Sequence, residues 1–267
     1  MKPMDKIQNR VEEHADYVNG QIGEEVWFVT ALQGSQNYQM SDEHSDVDTK
    51  SIVIPSFRSL VFNDKRTSKT LEVAPTVEHS DVKDMREMIN CWKKQNINFI
   101  EIIFTKWYTV NPSMQWAWDS IWVIREEIAH MNPYNAINSM CGCMREKYHA
   151  FDHPYPSAME KIEKFGYDPK QLSHMLRYKN FLERYFNDEP YEKCLVPANP
   201  QDYIDIKRGS IPLKDALQIR EEAFKWQADF LEKYKGVLKN ETNPKTEKIL
   251  NEIMYELFVQ VAKNDDY

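Results

Sequence analysis

Cysteine is scarce in this 267-residue chain, which contains only four. Four cysteines in a chain of this length are too few for a disulfide framework, so we expect reduced thiols, as in cytoplasmic proteins. Cys141 and Cys143 are not accompanied by a second Cys/His pair at zinc-like spacing. Buried helix cysteines are therefore the simpler interpretation of this pair.

Long apolar runs and an excess of positive charge are also missing. No run approaches the ~20 apolar residues that a membrane span needs, and the N-terminal segment has no signal-peptide core. The net charge of −8 argues against stable non-specific binding to DNA or RNA. The composition therefore predicts a folded cytoplasmic protein without membrane association, and it leaves room only for a local basic cleft.

The most informative stretch lies between two strand-like runs, residues 26–30 and 50–54. Gly34 and Ser35 come just after the first run, where a tight turn is expected. Backbone N–H groups at such a turn can cradle a phosphate.

Two carboxylates, Asp46 and Asp48, open the second run. Side chains of a strand alternate between its faces, so both aspartates are expected on the same side. Neighbouring carboxylates repel each other unless a cation lies between them, and hard cations such as Mg²⁺ prefer one or two carboxylates plus phosphate oxygens. A polar surface loop with ordinary turn aspartates is the alternative interpretation.

This layout resembles the DNA polymerase β-like nucleotidyltransferase superfamily, and in particular its bacterial and phage stand-alone branch. That branch has Gly-Ser-x-x-Tyr-Gly followed by Ser-Asp-x-Asp, and Gln39 stands here in place of the second glycine. The matching residues are Gly34, Ser35, Tyr38, Ser45, Asp46 and Asp48. The resemblance implies transfer of a nucleoside monophosphate from a nucleoside triphosphate to a hydroxyl-bearing acceptor (an RNA end, a protein or a small molecule), with Mg²⁺ or Mn²⁺.

A third carboxylate is implied by the resemblance, on a strand beside the Asp-x-Asp strand. Glu78, which we prefer, ends the extended run 69–79. Asp81 is the alternative, although the pair Ser80-Asp81 is also a plausible helix cap. We therefore predict that Asp46, Asp48 and Glu78 are the catalytic residues and metal ligands.

Glu101 ends a segment that resembles the family's Gly-Asn-Pro-Asn-x-x-Glu, with Gln95 in place of the glycine. We interpret the segment as a helix cap and a buried polar anchor.

A second constellation lies in the helical half. Asp168 and Pro169 form an N-cap and first-turn pair, and Lys170, His174 and Arg177 then follow at i, i+4 and i+7 of one helix face. On spacing alone this is a solvated face or a phosphate-binding stripe. The same family branch carries Gly-Tyr-Asp-x-Lys-x-x-x-His-x-x-Arg, so the resemblance implies that these three residues bind the nucleotide.

The expected fold is α+β. A small mixed β-sheet backed by helices, residues 1–110, forms the nucleotidyltransferase domain, and a helical domain, residues 111–267, closes a cleft over the nucleotide. Two other functions stay open. A nucleotide-sensing module without catalysis would keep the scaffold, and a metal-dependent phosphohydrolase would need a histidine-rich cluster, for which only His44 and His79 lie near the motif.

Overall fold

The computed structural model describes residues 3–43 and 45–264, with side chains from Lys6 onward. It separates into two compact units. The first comprises residues 3–37, 45–132 and 242–264, and the second comprises residues 38–43 and 133–241. The predicted division of function at residue 110 stays a prediction.

A five-stranded mixed sheet forms the centre of the first unit. Its strands are β1 (Val26–Gln33), β2 (Asp48–Ile54), β3 (Ser68–Glu72), β4 (His79–Asp84) and β5 (Tyr108–Val110). The spatial order is β3-β4-β2-β1-β5. β1 pairs antiparallel with β2 and β5, β2 pairs parallel with β4, and β3 pairs antiparallel with β4. The mixed sheet with its many helices confirms the predicted α+β class.

Helices account for most of the remaining chain. In the first unit they are α1 (Pro3–Asn19), α2 (Phe57–Val61), α3 (Met85–Lys93), α4 (Ile97–Ile100), α5 (Gln115–Val123), α6 (Arg125–Ala129) and α13 (Pro244–Asn264). In the second unit they are α7 (Pro133–Ala150), α8 (Met159–Phe165), α9 (Pro169–Tyr185), α10 (Tyr191–Leu195), α11 (Pro200–Lys207) and α12 (Leu213–Tyr234). Single 3₁₀ turns span Glu101–Ile103 and Pro112–Met114.

The residues around Ser80 form a strand, so the predicted helix cap at Ser80-Asp81 is wrong. Both residues lie in β4, and the cap of α3 is Asp84, whose carboxylate accepts a hydrogen bond from the Arg86 N–H. β4 looks polar in sequence because only one of its three buried residues, Val82, is apolar, whereas Ser80 and Asp84 are buried with hydrogen-bonding partners. Ser80 joins a buried hydroxyl chain in which its Oγ lies 2.9 Å from that of Ser51.

α1 covers one face of the sheet because its apolar side recurs at helical spacing. Val18 of α1 packs with Ile22, Val53 of β2 and Val82 of β4 in one buried cluster. The C-terminal helix α13 also packs on this unit and contacts β2 among other elements.

The second unit is a helical bundle in which α9 is central. α9 contacts α7, α10, α11 and α12, and just over half of its residues are buried. In the core of the second unit, Phe151 and Tyr167 stack with ring centroids 4.7 Å apart. Asp168 caps α9 through the Lys170 N–H, with Pro169 in the first turn as predicted.

Within residues 3–43 and 45–264, no helix combines the length and apolar character needed to cross a bilayer.

Candidate functional site

The first half of the motif and the Asp-x-Asp pair meet at one end of the sheet. Gln33, the last residue of β1, is the register partner of Asp48, the first residue of β2. Gly34 and Ser35 follow directly after Gln33, and Asp46 precedes β2 by two positions. The antiparallel pairing thus places the Gly-Ser turn beside the start of the strand that carries Asp48.

The turn after β1 is held by side chains that no sequence motif marks. Gly34 has φ +97°, a conformation that favours glycine. Asn37 donates from its amide to the Leu32 carbonyl at 2.9 Å, and its backbone N–H donates to the Gly34 carbonyl at 3.0 Å. Gln36 donates to the Asp46 carbonyl at 2.7 Å, which ties the turn to the Asp-x-Asp segment.

The side chain of Glu101 also holds this turn. This side chain is buried, and its Oε2 accepts a hydrogen bond of 3.4 Å from the Gly34 N–H. Asn96 caps α4 through the Asn98 N–H. These contacts confirm the interpretation of this segment as a helix cap and a buried polar anchor.

Asp46 and Asp48 both reach solvent. Asp46 is exposed and Asp48 is half-buried. The Asp48 Oδ1 accepts a hydrogen bond of 2.8 Å from the backbone N–H of His79, the first residue of β4. The His79 ring lies on the same side, with Nδ1 3.8 Å from that oxygen. Asp48 therefore has an accessible carboxylate whose orientation is fixed by the neighbouring strand.

Glu78 is directed to the opposite face of the sheet from Asp48. Its Oε2 accepts hydrogen bonds from Arg10 and lies 3.2 Å from Nε2 of His14, both on α1. The other ring nitrogen of His14 lies 3.0 Å from the Thr49 hydroxyl. Because Thr49 and Asp48 are consecutive in β2, their side chains are on opposite faces.

The second oxygen of Glu78 reaches the motif through its backbone. Glu78 Oε1 accepts a hydrogen bond of 3.1 Å from the N–H of Val47, the residue between the two aspartates. The structure thus brings Glu78 to the Asp-x-Asp segment, but to its main chain. The catalytic role predicted for Glu78 stays a prediction.

Charge and burial set the protonation states in this cluster. Burial alone would raise the pKa of Glu78, but hydrogen bonds from Arg10, the Val47 N–H and His14 outweigh it, so the pKa lies below its usual value. Burial lowers the pKa of His14, against the opposing effect of Glu78. At neutral pH the cluster therefore pairs an ionised carboxylate with a neutral imidazole.

Asp81, the alternative third carboxylate, lies on the face of Asp48 but is already paired. Its Oδ2 is 3.0 Å from Nζ of Lys50, and its Oδ1 accepts a hydrogen bond of 3.1 Å from the Thr70 hydroxyl. Lys50 is 4% exposed, and its Nζ lies 4.1 Å from the centre of the Phe99 ring. Both oxygens of Asp81 are thus engaged by side chains of the neighbouring strands β2 and β3.

The donor set around Asp46 and Asp48 fits a hard divalent cation that takes the rest of its ligands from phosphate and water. Two accessible carboxylates are what Mg²⁺ commonly receives from a protein. Within the part of the chain that the structure describes, no group of three or more His, Cys, Asp or Glu side chains is arranged to hold a metal ion. His44 lies outside the described residues.

The second unit holds the three predicted residues of α9. Arg177 is 2% exposed, and its guanidinium carbon lies 3.8 Å from the centre of the Tyr38 ring and 4.6 Å from that of Tyr178. Such stacking over aromatic rings orients a guanidinium. His174 is half-buried and Lys170 is exposed.

Positive charge is concentrated around His174. Burial lowers its pKa well below the usual value, and the charges of Arg177, Lys170, Lys147 and Lys207 lower it further. The pKa of Lys170 is also lowered. The largest cause is partial burial of its ammonium group, and the charges of Lys161 and Lys207 lower the pKa further. Cations held close together at a cost in electrostatic repulsion favour the binding of an anion.

The remaining motif residues fall in the loop between the two strands. Tyr38 belongs to the second unit and is buried, whereas Ser35 and Ser45 belong to the first and are half-buried. In the second unit, the loop is fixed by Asp42, whose Oδ2 accepts a hydrogen bond of 2.8 Å from Lys207. The structure thus groups Tyr38 with Arg177, and Gly34 and Ser35 with the Asp-x-Asp end of the sheet.

Comparisons with protein-family models and with curated proteins give no match to this chain.

Proposed function

We propose that the chain is a polymerase β-like nucleotidyltransferase that transfers a nucleoside monophosphate from a nucleoside triphosphate to a hydroxyl-bearing acceptor. The pairing of Gln33 with Asp48 carries the proposal, because it brings the Gly34-Ser35 turn, whose backbone N–H groups could cradle a phosphate, next to the start of the strand that carries Asp48. Neither feature has this meaning alone. Their proximity at one end of a five-stranded sheet supports the proposal of nucleotidyl transfer.

Backbone conformation supports the same assignment. Gln39 and Gln95 stand at the two positions where the resembling family has glycine. Both adopt the left-handed conformation that glycine favours, with φ of +57° and +53°. A non-glycine residue adopts such angles only when its surroundings impose them, so the turns are of the kind that the family pattern implies.

The reaction is a displacement at the α-phosphorus of the triphosphate. The acceptor oxygen forms a bond to the α-phosphorus, the bond to the bridging oxygen of the β-phosphate breaks, and pyrophosphate leaves while the hydroxyl proton passes to solvent. Asp46 and Asp48 would hold a Mg²⁺ or Mn²⁺ ion, which neutralises charge on the phosphate oxygens when bound. The Gly34-Ser35 turn orients the phosphate chain, and the anchors Gln36 and Glu101 keep that turn in place.

The cationic cluster of the second unit is proposed to bind phosphate groups of the nucleotide. Arg177 would provide a guanidinium already oriented by two tyrosine rings, Lys170 an ammonium charge and His174 a neutral hydrogen-bond donor. An RNA end, a protein or a small molecule serves as acceptor. The free cysteines support a cytoplasmic location.

A non-catalytic nucleotide-binding module is the second candidate, and one observation favours it. Glu78 and Asp81, the two candidates for a third carboxylate, are both engaged in ion pairs and hydrogen bonds within the sheet unit. Such a module would bind nucleotide and metal without releasing pyrophosphate.

The deciding experiment follows the α-phosphate. Incubation with α-³²P-labelled ATP, Mg²⁺ and cellular RNA or protein should produce a labelled acceptor and one pyrophosphate per transfer. Release of inorganic phosphate without labelled acceptor would indicate a phosphohydrolase. Nucleotide binding without either product would favour the sensing module.

A further inference from the structure

Glu78 forms a hydrogen bond to the main chain of the Asp-x-Asp segment. One carboxylate oxygen accepts the Val47 N–H at 3.1 Å, and Val47 is the only residue between Asp46 and Asp48. The other oxygen is held by Arg10 and His14. The carboxylate therefore links α1 to the peptide that separates the two aspartates.

The partners of Glu78 are themselves held firmly. His14 is fully buried, and its second ring nitrogen lies 3.0 Å from the Thr49 hydroxyl on β2. Arg10 binds Glu78 through Nε at 2.9 Å and also forms an ion pair with Glu13. The Glu78 carboxylate is thus held in place by α1 while it accepts the hydrogen bond from the Val47 N–H.

Orientation matters here because Asp46 lies outside the hydrogen-bonded strand. Asp48 is fixed by strand pairing and by the His79 N–H, whereas Asp46 precedes the first residue of β2 by two positions. Asp46 has its carbonyl held by Gln36. The hydrogen bond from the Val47 N–H to Glu78 is a second main-chain contact that holds the segment between Asp46 and the start of the strand.

We infer that Glu78 is a positioning residue, which sets the relative orientation of Asp46 and Asp48 through the Val47 amide and does not itself bind the cation. This inference rests on the proposed function, since it assigns the support of the same site. Residues that orient metal ligands from outside the coordination sphere typically change metal affinity by 10–100-fold when removed.

The test compares two substitutions that a positioning role and a ligand role separate. In Glu78→Gln the amide oxygen can still accept the Val47 N–H, but the anionic charge that a metal ligand or base needs is lost. In Glu78→Ala the acceptor is lost altogether. Mn²⁺ binding in the presence of ATP, followed by electron paramagnetic resonance, reports on the site without requiring turnover.

We expect Glu78→Ala to weaken Mn²⁺ binding by about 10–100-fold. Glu78→Gln keeps an acceptor for the Val47 N–H, although its NH2 group cannot accept from Arg10, so it should lose less Mn²⁺ affinity than Glu78→Ala. The kcat of pyrophosphate release should follow the same order. Glu72→Ala, an exposed glutamate on β3, is the matched control and should bind as the unsubstituted protein does.

Each other outcome overturns a defined claim. Equal loss of Mn²⁺ in the Gln and Ala variants would make Glu78 a ligand, and a collapse of kcat in Glu78→Gln with unchanged Mn²⁺ binding would make it a base. Unchanged binding in both would remove any role. If Glu78→Ala does not fold, Glu78→Gln decides alone: largely retained Mn²⁺ affinity supports the positioning role, and loss of Mn²⁺ binding makes Glu78 a ligand. Failure of the unsubstituted protein to bind Mn²⁺ would instead refute the proposed function.

Discussion

Lowering the pH should destabilise the protein through His174, and replacing this histidine should remove that part of the pH dependence. His174 lies among Lys147, Lys170, Arg177 and Lys207, and burial together with these charges lowers its pKa well below 6.5. The unfolded chain binds a proton near pH 6.5, but the folded protein does not. The stabilisation associated with neutral His174 is therefore complete above pH 6.5 and is lost as the pH falls towards the folded-state pKa.

The magnitude follows from linkage. If the folded state stays unprotonated, one histidine removes about 1.4 kcal/mol of unfolding free energy between pH 7.5 and pH 5.5. Urea denaturation at several pH values should show this loss in the unsubstituted protein, and His174→Gln should lack it. His153→Gln, an exposed histidine of the second unit, controls for the substitution itself. A His174→Gln variant with the same pH slope as the unsubstituted protein would refute the cationic crowding of this site.

Two further predictions concern the cationic cluster and the turns. Lys170→Met should weaken triphosphate binding by about ten-fold or more, because a charge-assisted contact is worth about 1.5–3 kcal/mol, and titration calorimetry should show no such loss for Lys179→Met on the same helix. Gln39→Gly should be neutral or stabilise by up to about 1 kcal/mol, because it relieves a left-handed non-glycine residue, whereas Gln95→Gly should destabilise by about 1–3 kcal/mol. Gln95→Gly loses two buried hydrogen bonds, because the Gln95 amide donates to the Trp92 and Ile128 carbonyls at 2.8 Å each. The free energies of unfolding from denaturation curves of the two variants check this difference.

Much of the fold follows from local patterns. The apolar spacing of α1, the Asp168-Pro169 start of α9 and the α+β class could all be predicted from the sequence. β4 could not, because two of its three buried positions, Ser80 and Asp84, are polar. Ser80 is paired with Ser51, and Asp81 with Lys50, across the sheet. Long-range partners of this kind leave no period-two hydrophobic signal in the strand itself.

The candidate site, too, could be predicted from the sequence only in part. The Gly-Ser turn and the two aspartates were visible as a motif, and the register of β1 and β2 brings them together. The supports of the motif, Gln36 and His14, lie at positions that no motif marks. Their importance comes from contacts with residues 10 and 64 positions away in the chain.

Metal-dependent nucleotide affinity tests the central claim most directly. Titration calorimetry with ATP, with and without Mg²⁺, should show binding that depends on the cation in the unsubstituted protein. The double variant Asp46→Asn and Asp48→Asn keeps the shape of both side chains and removes their charge, so it should lose the Mg²⁺-dependent part of the affinity while its thermal unfolding is unchanged. Asp64→Asn, at an exposed loop position, is the charge-matched control. Unchanged Mg²⁺-dependent ATP affinity in the double variant would contradict the proposal that these two aspartates form the nucleotide site.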